Sequence, residues 1–412
     1  MEKTFHIENR KALYSSINEP ALVIMFSGHA PRKTADEYYP FFANRNFVYM
    51  TGVESPGTIL MAEVDGSCIR ETMFILPKDP LEERWTGRRL SPDEVMEKSG
   101  IANIEYTESF EKKFDKLISS GKYTVLYLDF DKLTRNEPDN EAFQLSETVK
   151  KLYPFMNQRN LLPYIKSLRT VKKQCEIDAM KKAEEITRAG IVAMMKASKP
   201  GMYEYQYKAE FDYTLAQHGV LSPAFPSIVS AGSNNFYLHY YDYRGQALDG
   251  DMVLNDVGAC YDNECNDVSR GWPCNGKFSE RQKLLYNCAY NTSEYMFKLI
   301  KPGMPMADVD ATIKKYNYEQ LKEISVCKSY DEIGKYMWHG GAHHVGYDVH
   351  DVVDESGLII PGMVFCVDVG IYHEDWGIGF RIEDNCLVTE DGCINLSAET
   401  PRTIEEIEDI MR

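Results

Sequence analysis

No window of this chain reaches the roughly 20 consecutive apolar residues that a helix needs to cross a bilayer. Residues 1–14 mix charges of both signs and contain no apolar segment of the kind found in a secretory signal. These absences predict a protein that stays where it is made, in the cytoplasm. Concentrated positive charge is also missing: 46 Lys and Arg stand against 63 Asp and Glu, a formal net charge of −17, and no basic cluster reverses it locally. Phosphate backbones and anionic bilayers would be repelled, which excludes nucleic acid and membrane as partners. There are no low-complexity tracts and no Cys-x-x-Cys pair, and Cys260, Cys265, Cys274 and Cys288 lack zinc-finger spacing. The ten cysteines therefore read as reduced thiols of a cytosolic protein.

What is present is an ordinary globular composition, 43% hydrophobic and 26% charged, spread over 412 residues. That length exceeds what one core usually supports, so two domains are expected. Short β-rich apolar runs at 21–26, 58–62, 73–76 and 125–128 alternate with polar, helix-compatible stretches, the pattern of an α/β domain. After Leu161-Leu162-Pro163 the pattern changes. Ile177, Met180, Ala183, Ile186 and Met194 recur at helical spacing, with Thr170 available as N-cap. The boundary is placed around residue 165, giving domains 1–165 and 166–412.

The second half repeats itself faintly. One predicted helix runs into Met194-Met-Lys-Ala-Ser-Lys-Pro-Gly-Met202, and 102 residues later another runs into Met296-Phe-Lys-Leu-Ile-Lys-Pro-Gly-Met304. Each ends at Pro-Gly before a further helical stretch, which predicts two related half-domains about a pseudo-twofold axis.

Carboxylates sit at hairpin spacing within this half. Asp256 and Asp267 lie eleven positions apart. A two-residue turn at Tyr261-Asp262 would set them directly opposite each other, and a turn shifted by one residue would leave them diagonal on the same face. Asp368 and Glu383 lie fifteen apart, and a hairpin centred on Asp375 and Trp376 would also set them opposite. Carboxylates paired across strands repel unless a cation lies between them. Apolar neighbours such as Leu254, Val257, Phe365 and Val367 imply burial rather than a solvated face.

Between the hairpins, His339, His343, His344 and His350 place four of the nine histidines within twelve residues. Imidazole is the commonest neutral metal ligand and a proton carrier near neutral pH. Four carboxylate charges balance two divalent ions, with His343 and a bridging hydroxide completing the shell. Oxygen-dominated ligation with one imidazole suits Mn²⁺, while Co²⁺, Fe²⁺ or Zn²⁺ can also bind.

Together these residues resemble the metallopeptidases of the pita-bread fold, in their aminopeptidase P and prolidase branch. In the first half, Glu37-Tyr-Tyr-Pro-Phe-Phe-Ala-Asn-Arg-Asn-Phe-Val-Tyr-Met-Thr-Gly52 and Trp85-Thr-Gly-Arg-Arg89 look like the creatinase-like N-terminal domain. In the second, Lys199-Pro-Gly-Met-Tyr-Glu-Tyr205, Pro226-Ser-Ile-Val229, Leu238-His-Tyr240, Asn275-Gly-Lys-Phe278 and Phe380-Arg-Ile-Glu-Asp384 join the hairpins and the histidine segment. The resemblance implies an α/β creatinase-like domain followed by an α+β pita-bread domain built of two related halves.

It further implies Asp256, Asp267, His343, Asp368 and Glu383 as metal ligands, with His239 and His350 flanking the substrate. A hydroxide bridging the metals would attack the carbonyl of a bond preceding proline. His350 would stabilise or protonate the tetrahedral intermediate, His339 would contact substrate carbonyls, and Arg381 would support the substrate or the ligands. The expected activity is that of an Xaa-Pro aminopeptidase, with an Xaa-Pro dipeptidase as the nearest alternative, and relatives of this kind form homodimers or homotetramers. Trp85 would then reach a neighbouring subunit's site.

One position departs from the family pattern. Where the family has Glu-Pro-Gly, this chain has Asp368-Val369-Gly370. The family's glutamate is both ligand and general base, and the loss of one methylene retracts the carboxylate. An active enzyme with an altered second metal position is expected. A catalytically impaired homologue acting as a binding module is the reading from another class.

Overall fold

A strand that is apolar at every position can be buried on both faces. The run at 21–26 behaves this way: strand Ala21–Phe26 lies inside a six-stranded mixed sheet of the computed structural model, which describes residues 1–354 and 357–412. The sheet order is Ile104–Tyr106, Cys68–Ile75, Ile59–Asp65, Ala21–Phe26, Val125–Leu128, Asn157–Asn160. Helices Phe110–Ser119 and Glu141–Leu152 bury Phe110, Phe114, Ile118 and Val149 against Leu22, Ile24 and Leu126. The chain divides into two compact units, Met1–Leu168 and Arg169–Arg412, and the division falls inside helix Leu162–Thr170.

Thr170 does not cap the long helix that follows. It closes the helix before, and its hydroxyl accepts a hydrogen bond from the Asp354 N–H at 3.0 Å. Helix Gln174–Ala197 starts instead where the Glu176 carboxylate reaches back to the Lys173 N–H at 2.8 Å, a contact available only from the third helical position.

The internal repeat is visible bond by bond in the second unit. Helix pairs Gln174–Ala197 with Glu204–Gln217, and Glu280–Leu299 with Met306–Glu323, are each joined through Pro-Gly. Gly201 and Gly303 both have φ of +86°, a conformation that costs any side-chain-bearing residue. Their N–H groups donate to Ala247 O at 2.7 Å and Ile359 O at 2.9 Å. The return bonds match: Ala247 N–H to Met202 O at 2.9 Å, and Ile359 N–H to Met304 O at 2.8 Å.

Each half then enters a three-stranded antiparallel sheet. One has the order Val268–Pro273, Met252–Val257, Ile228–Ala231, and the other Val364–His373, Ile378–Val388, Cys393–Asn395. Left-handed Gly250 and Gly362 open the two leading strands, and Asp256-Val-Gly258 and Asp368-Val-Gly370 each begin six residues later. Asp256 and Asp368 are thus equivalent positions of the repeat. A shared core that includes Trp272, Tyr286, Phe365 and Phe380 joins the halves.

Candidate metal centre

The first hairpin closes at Asp262 and Asn263, whose φ values of 50° and 74° suit the short polar side chains that tolerate the left-handed region. Tyr261 lies outside that turn and pairs with Glu264. The turn is therefore one residue beyond Tyr261-Asp262: Asp256 faces Ser269, and Asp267 lies diagonally beside it on the same face. The second hairpin turns through Glu374–Trp376 and left-handed Gly377, and sets Asp368 directly opposite Glu383.

Alternation along strand Val364–His373 puts Cys366, Asp368, Gly370 and Tyr372 on one face. Gly370 makes room on that face, since a Cβ there would lie 2.3 Å from His339 Nε2. Cys366 and Tyr372 were not selected from the sequence. Their spacing from Asp368 was the available signal, but uniform burial of this strand hides which face meets the site.

All nine residues singled out from the sequence line one cavity of about 690 Å³: Asp256, Asp267, Asp368, Glu383, Arg381, His239, His339, His343 and His350. Phe225, Leu238 and Val349 supply apolar wall. Within it, among the described residues, two groups can hold a metal ion, with ligand atoms inside 4.8 Å of one another. One is Asp256, Asp267 and Glu383; the other is His343, Cys366 and Glu383. Asp368 belongs to neither group. Its Oδ2 lies 3.1 Å from His339 Nδ1, and the other nitrogen of that ring lies 3.0 Å from the Tyr372 hydroxyl.

Arg381 donates to Asp256 Oδ2 at 2.8 Å, to the Tyr372 hydroxyl at 3.0 Å and to Ser269 Oγ at 3.3 Å. Its guanidinium is thereby spent on orienting a carboxylate and a phenol. Glu383 Oε2 accepts from the Ser269 hydroxyl at 2.9 Å. His343 Nδ1 lies 3.3 Å from the His344 carbonyl, which leaves Nε2 facing Asp267 at 3.5 Å and Glu383 at 3.6 Å. A nitrogen lone pair directed at two carboxylates is the arrangement of a ligand set around a cation.

The electrostatics carry the same message. Burial, then the neighbouring Glu383 and Asp256 charges, push the Asp267 carboxyl well above its ordinary range. Asp256 Oδ1, Asp267 Oδ1 and Asp368 Oδ1 are buried without a hydrogen-bond partner. Such orphaned acceptors are costly unless a positive charge meets them, so the residues present fit divalent cations. Burial alone would lower His343, but its hydrogen bond to Glu383 and that residue's charge outweigh burial and raise it. His350, whose ring centroid is 4.0 Å from that of His343, is lowered by burial and then by His343 itself.

Asp351 anchors the segment that carries His350. Its carboxylate is buried between Arg169 and Lys172, and its N–H donates to His344 O at 2.9 Å. His344 turns away from the cavity and packs its ring 5.8 Å from that of Phe365; burial pushes its pKa down to about 4.

The comparisons agree with the motif resemblance in both units. The model of metallopeptidase family M24 matches residues 178–390, and that of the aminopeptidase P N-terminal domain matches residues 6–127. The Xaa-Pro aminopeptidase of Escherichia coli (strain K12) is 29% identical over 98% of this chain and 96% of its own length. Among solved structures, a candidate aminopeptidase P from Bacillus anthracis is 37% identical with a TM-score of 0.98, covering 100% of this chain and 99% of its own. Aminopeptidase P from E. coli with the inhibitor Pro-Leu is 28% identical with a TM-score of 0.91, covering 100% and 98%. The chain, with its aminopeptidase P N-terminal domain and its catalytic half of two related halves, belongs to metallopeptidase family M24.

Proposed function

We propose that the protein is a metal-dependent Xaa-Pro aminopeptidase that releases the N-terminal residue from peptides with proline second. The observation carrying this is the buried group of Asp256, Asp267 and Glu383 beside His343, with orphaned carboxylate oxygens turned into one cavity. Near full-length relatives of the chain are Xaa-Pro aminopeptidases, and a neighbouring structure holds Pro-Leu, a dipeptide that begins with proline.

In this reading Asp256, Asp267, His343, Asp368 and Glu383 hold two divalent ions, Mn²⁺ foremost because oxygen donors predominate. Ions held there would polarise the scissile carbonyl and lower the pKa of bound water. The chain's own groups do the rest. His350, kept neutral near pH 7 by burial, donates an N–H to the carbonyl oxygen as charge develops on it. His239 flanks the peptide from the cavity wall. His339 holds Asp368, and Arg381 holds Asp256. Among the described residues no helix is long and apolar enough to cross a membrane; a cytoplasmic homodimer or homotetramer completes the reading. Trp85, 90% exposed, is the surface side chain offered to a neighbouring subunit.

A second reading has its own observation. Asp368 stands outside both candidate groups, which favours a weakened second ion and an impaired enzyme. The test is to strip metal and assay a Xaa-Pro dipeptide and a Xaa-Pro-containing tripeptide, with and without Mn²⁺. Mn²⁺-dependent release of the first residue from the tripeptide is expected. Cleavage of the dipeptide alone would move the activity to prolidase. Cleavage of neither with any divalent ion, but restored by Asp368→Glu, would replace the reading with the impaired homologue.

A further inference from the structure

We propose that Cys366 is a metal ligand of this protein, its thiolate joining His343 and Glu383 in a mixed sulfur, nitrogen and oxygen site beside the all-carboxylate site of Asp256, Asp267 and Glu383. The inference deepens the metallopeptidase reading and rests on it.

Three observations carry it. Cys366 shares the inward face of its strand with Asp368, two positions away, so its side chain points where the ligands are. Its Sγ belongs, with a His343 nitrogen and a Glu383 oxygen, to a group whose atoms lie within 4.8 Å of one another. Asp368, which occupies the family's glutamate position, is in neither group and is paired to His339. Asp368 thus supplies no donor to either group, and the thiol stands with His343. Sγ already meets the His343 N–H at 3.2 Å, so the cysteine and the histidine are fixed relative to each other.

Glu383, common to both groups, bridges a hard site and a softer one. Thiolate ligation favours Zn²⁺ or Co²⁺ over Mn²⁺, whereas three carboxylates retain the preference for Mn²⁺. The two positions therefore differ in the ion they select. On binding, the thiol proton leaves to solvent and sulfur donates its electron pair to the ion.

The test uses the metal-free full-length protein titrated with Co²⁺, counting bound ions by elemental analysis and recording the near-ultraviolet spectrum. Two ions per chain and a thiolate-to-Co²⁺ charge-transfer band are expected in the wild type. Cys366→Ser and Cys366→Ala should both lose the band and weaken one of the two ions by about 10–100-fold, with the other unchanged and the far-ultraviolet circular dichroism preserved. Two ions bound without the band, or a band that survives in both variants, would overturn the thiolate and leave the metal centre standing. Failure of the wild type to bind Co²⁺ at all would overturn both together. Should the variants fail to fold, the wild-type spectrum decides.

Discussion

His339 Nδ1 lies 3.1 Å from Asp368 Oδ2, although Asp368 stands directly across the strand pair from Glu383. Two carboxylates in register repel, and the shorter of the two meets an imidazole, a group able to carry a proton. The Asp368–His339 contact leads on to the Tyr372 hydroxyl and from there to Arg381 and Asp256. Two equivalent aspartates of the internal repeat are thus joined through three side chains.

Lengthening Asp368 tests this contact. Asp368→Glu should carry the carboxylate past His339 towards the ligand group, tighten the weaker divalent ion by about tenfold and raise kcat/KM at limiting Mn²⁺ by a similar factor. Calorimetric titration of the metal-free protein measures the first effect and tripeptide cleavage the second. Unchanged affinity would mean that the aspartate already reaches as far as the site needs.

The carboxylate cluster makes stability depend on pH and metal together. The pKa of Asp267 is raised in the folded state. Its contribution is fully present below its unfolded value, near 4, and is lost as pH rises through the folded value. His339 and His343 are raised as well, so their contributions are present below about 6.5 and lost in the same direction. Divalent ions bind the deprotonated groups and reverse the loss. The increase in Tm on adding Mn²⁺ to metal-free protein should be larger at about pH 8 than at about pH 5. A pH-independent increase would contradict the assignment.

Gly370 is needed for space rather than for its backbone angle. A methyl group there would meet His339 Nε2 at 2.3 Å and Tyr372 Cε2 at 2.8 Å. Gly370→Ala should displace His339 from Asp368, cost about 1–3 kcal/mol in urea unfolding and lower kcat more than it raises KM. A fully active, fully stable variant would show that the ring has somewhere else to go.

Asp351 neutralises two buried cations at once, Arg169 and Lys172, whose side chains are 1% and 2% exposed. Asp351→Asn removes the ion-pair partner of Lys172 and one of the two carboxylates on Arg169, which keeps Asp348, and should cost about 3–5 kcal/mol. Because the same residue anchors the segment bearing His350, kcat should fall in the protein that remains folded. Urea denaturation with kinetics on the folded fraction separates the two effects.

Much of the site was legible because hairpins have a period of two and their turns have recognisable chemistry. The spacing of Asp368 and Glu383 gave their register directly. For Asp256 and Asp267 the turn lies one residue later than Tyr261-Asp262, since Asp262 and Asn263 accept positive φ and the bulkier Tyr261 does not. The Pro-Gly repeat announced two related halves, and their matched hydrogen bonds at Gly201 and Gly303 bear it out. Thr170 misled, because a good capping residue is no guide when a glutamate three positions into the next helix supplies a better cap.

The sequence by itself determined that two carboxylate pairs, Asp256 with Asp267 and Asp368 with Glu383, stand at hairpin spacing on shared faces, because local periodicity follows from backbone geometry alone. Which atoms meet was decided only by the tertiary structure. Arg381 reaches Asp256 across 125 positions of chain, and Ser269 reaches Glu383 across 114. Contacts of that separation arise when two half-domains dock through a common core, and no short-range spacing encodes them. Within the second half, the histidine segment packs along strand Val364–His373, with the Cys366 N–H donating to His343 O and the Asp368 N–H to Gly341 O. This long-range pairing brings His339 to Asp368 and His343 to Cys366 and Glu383.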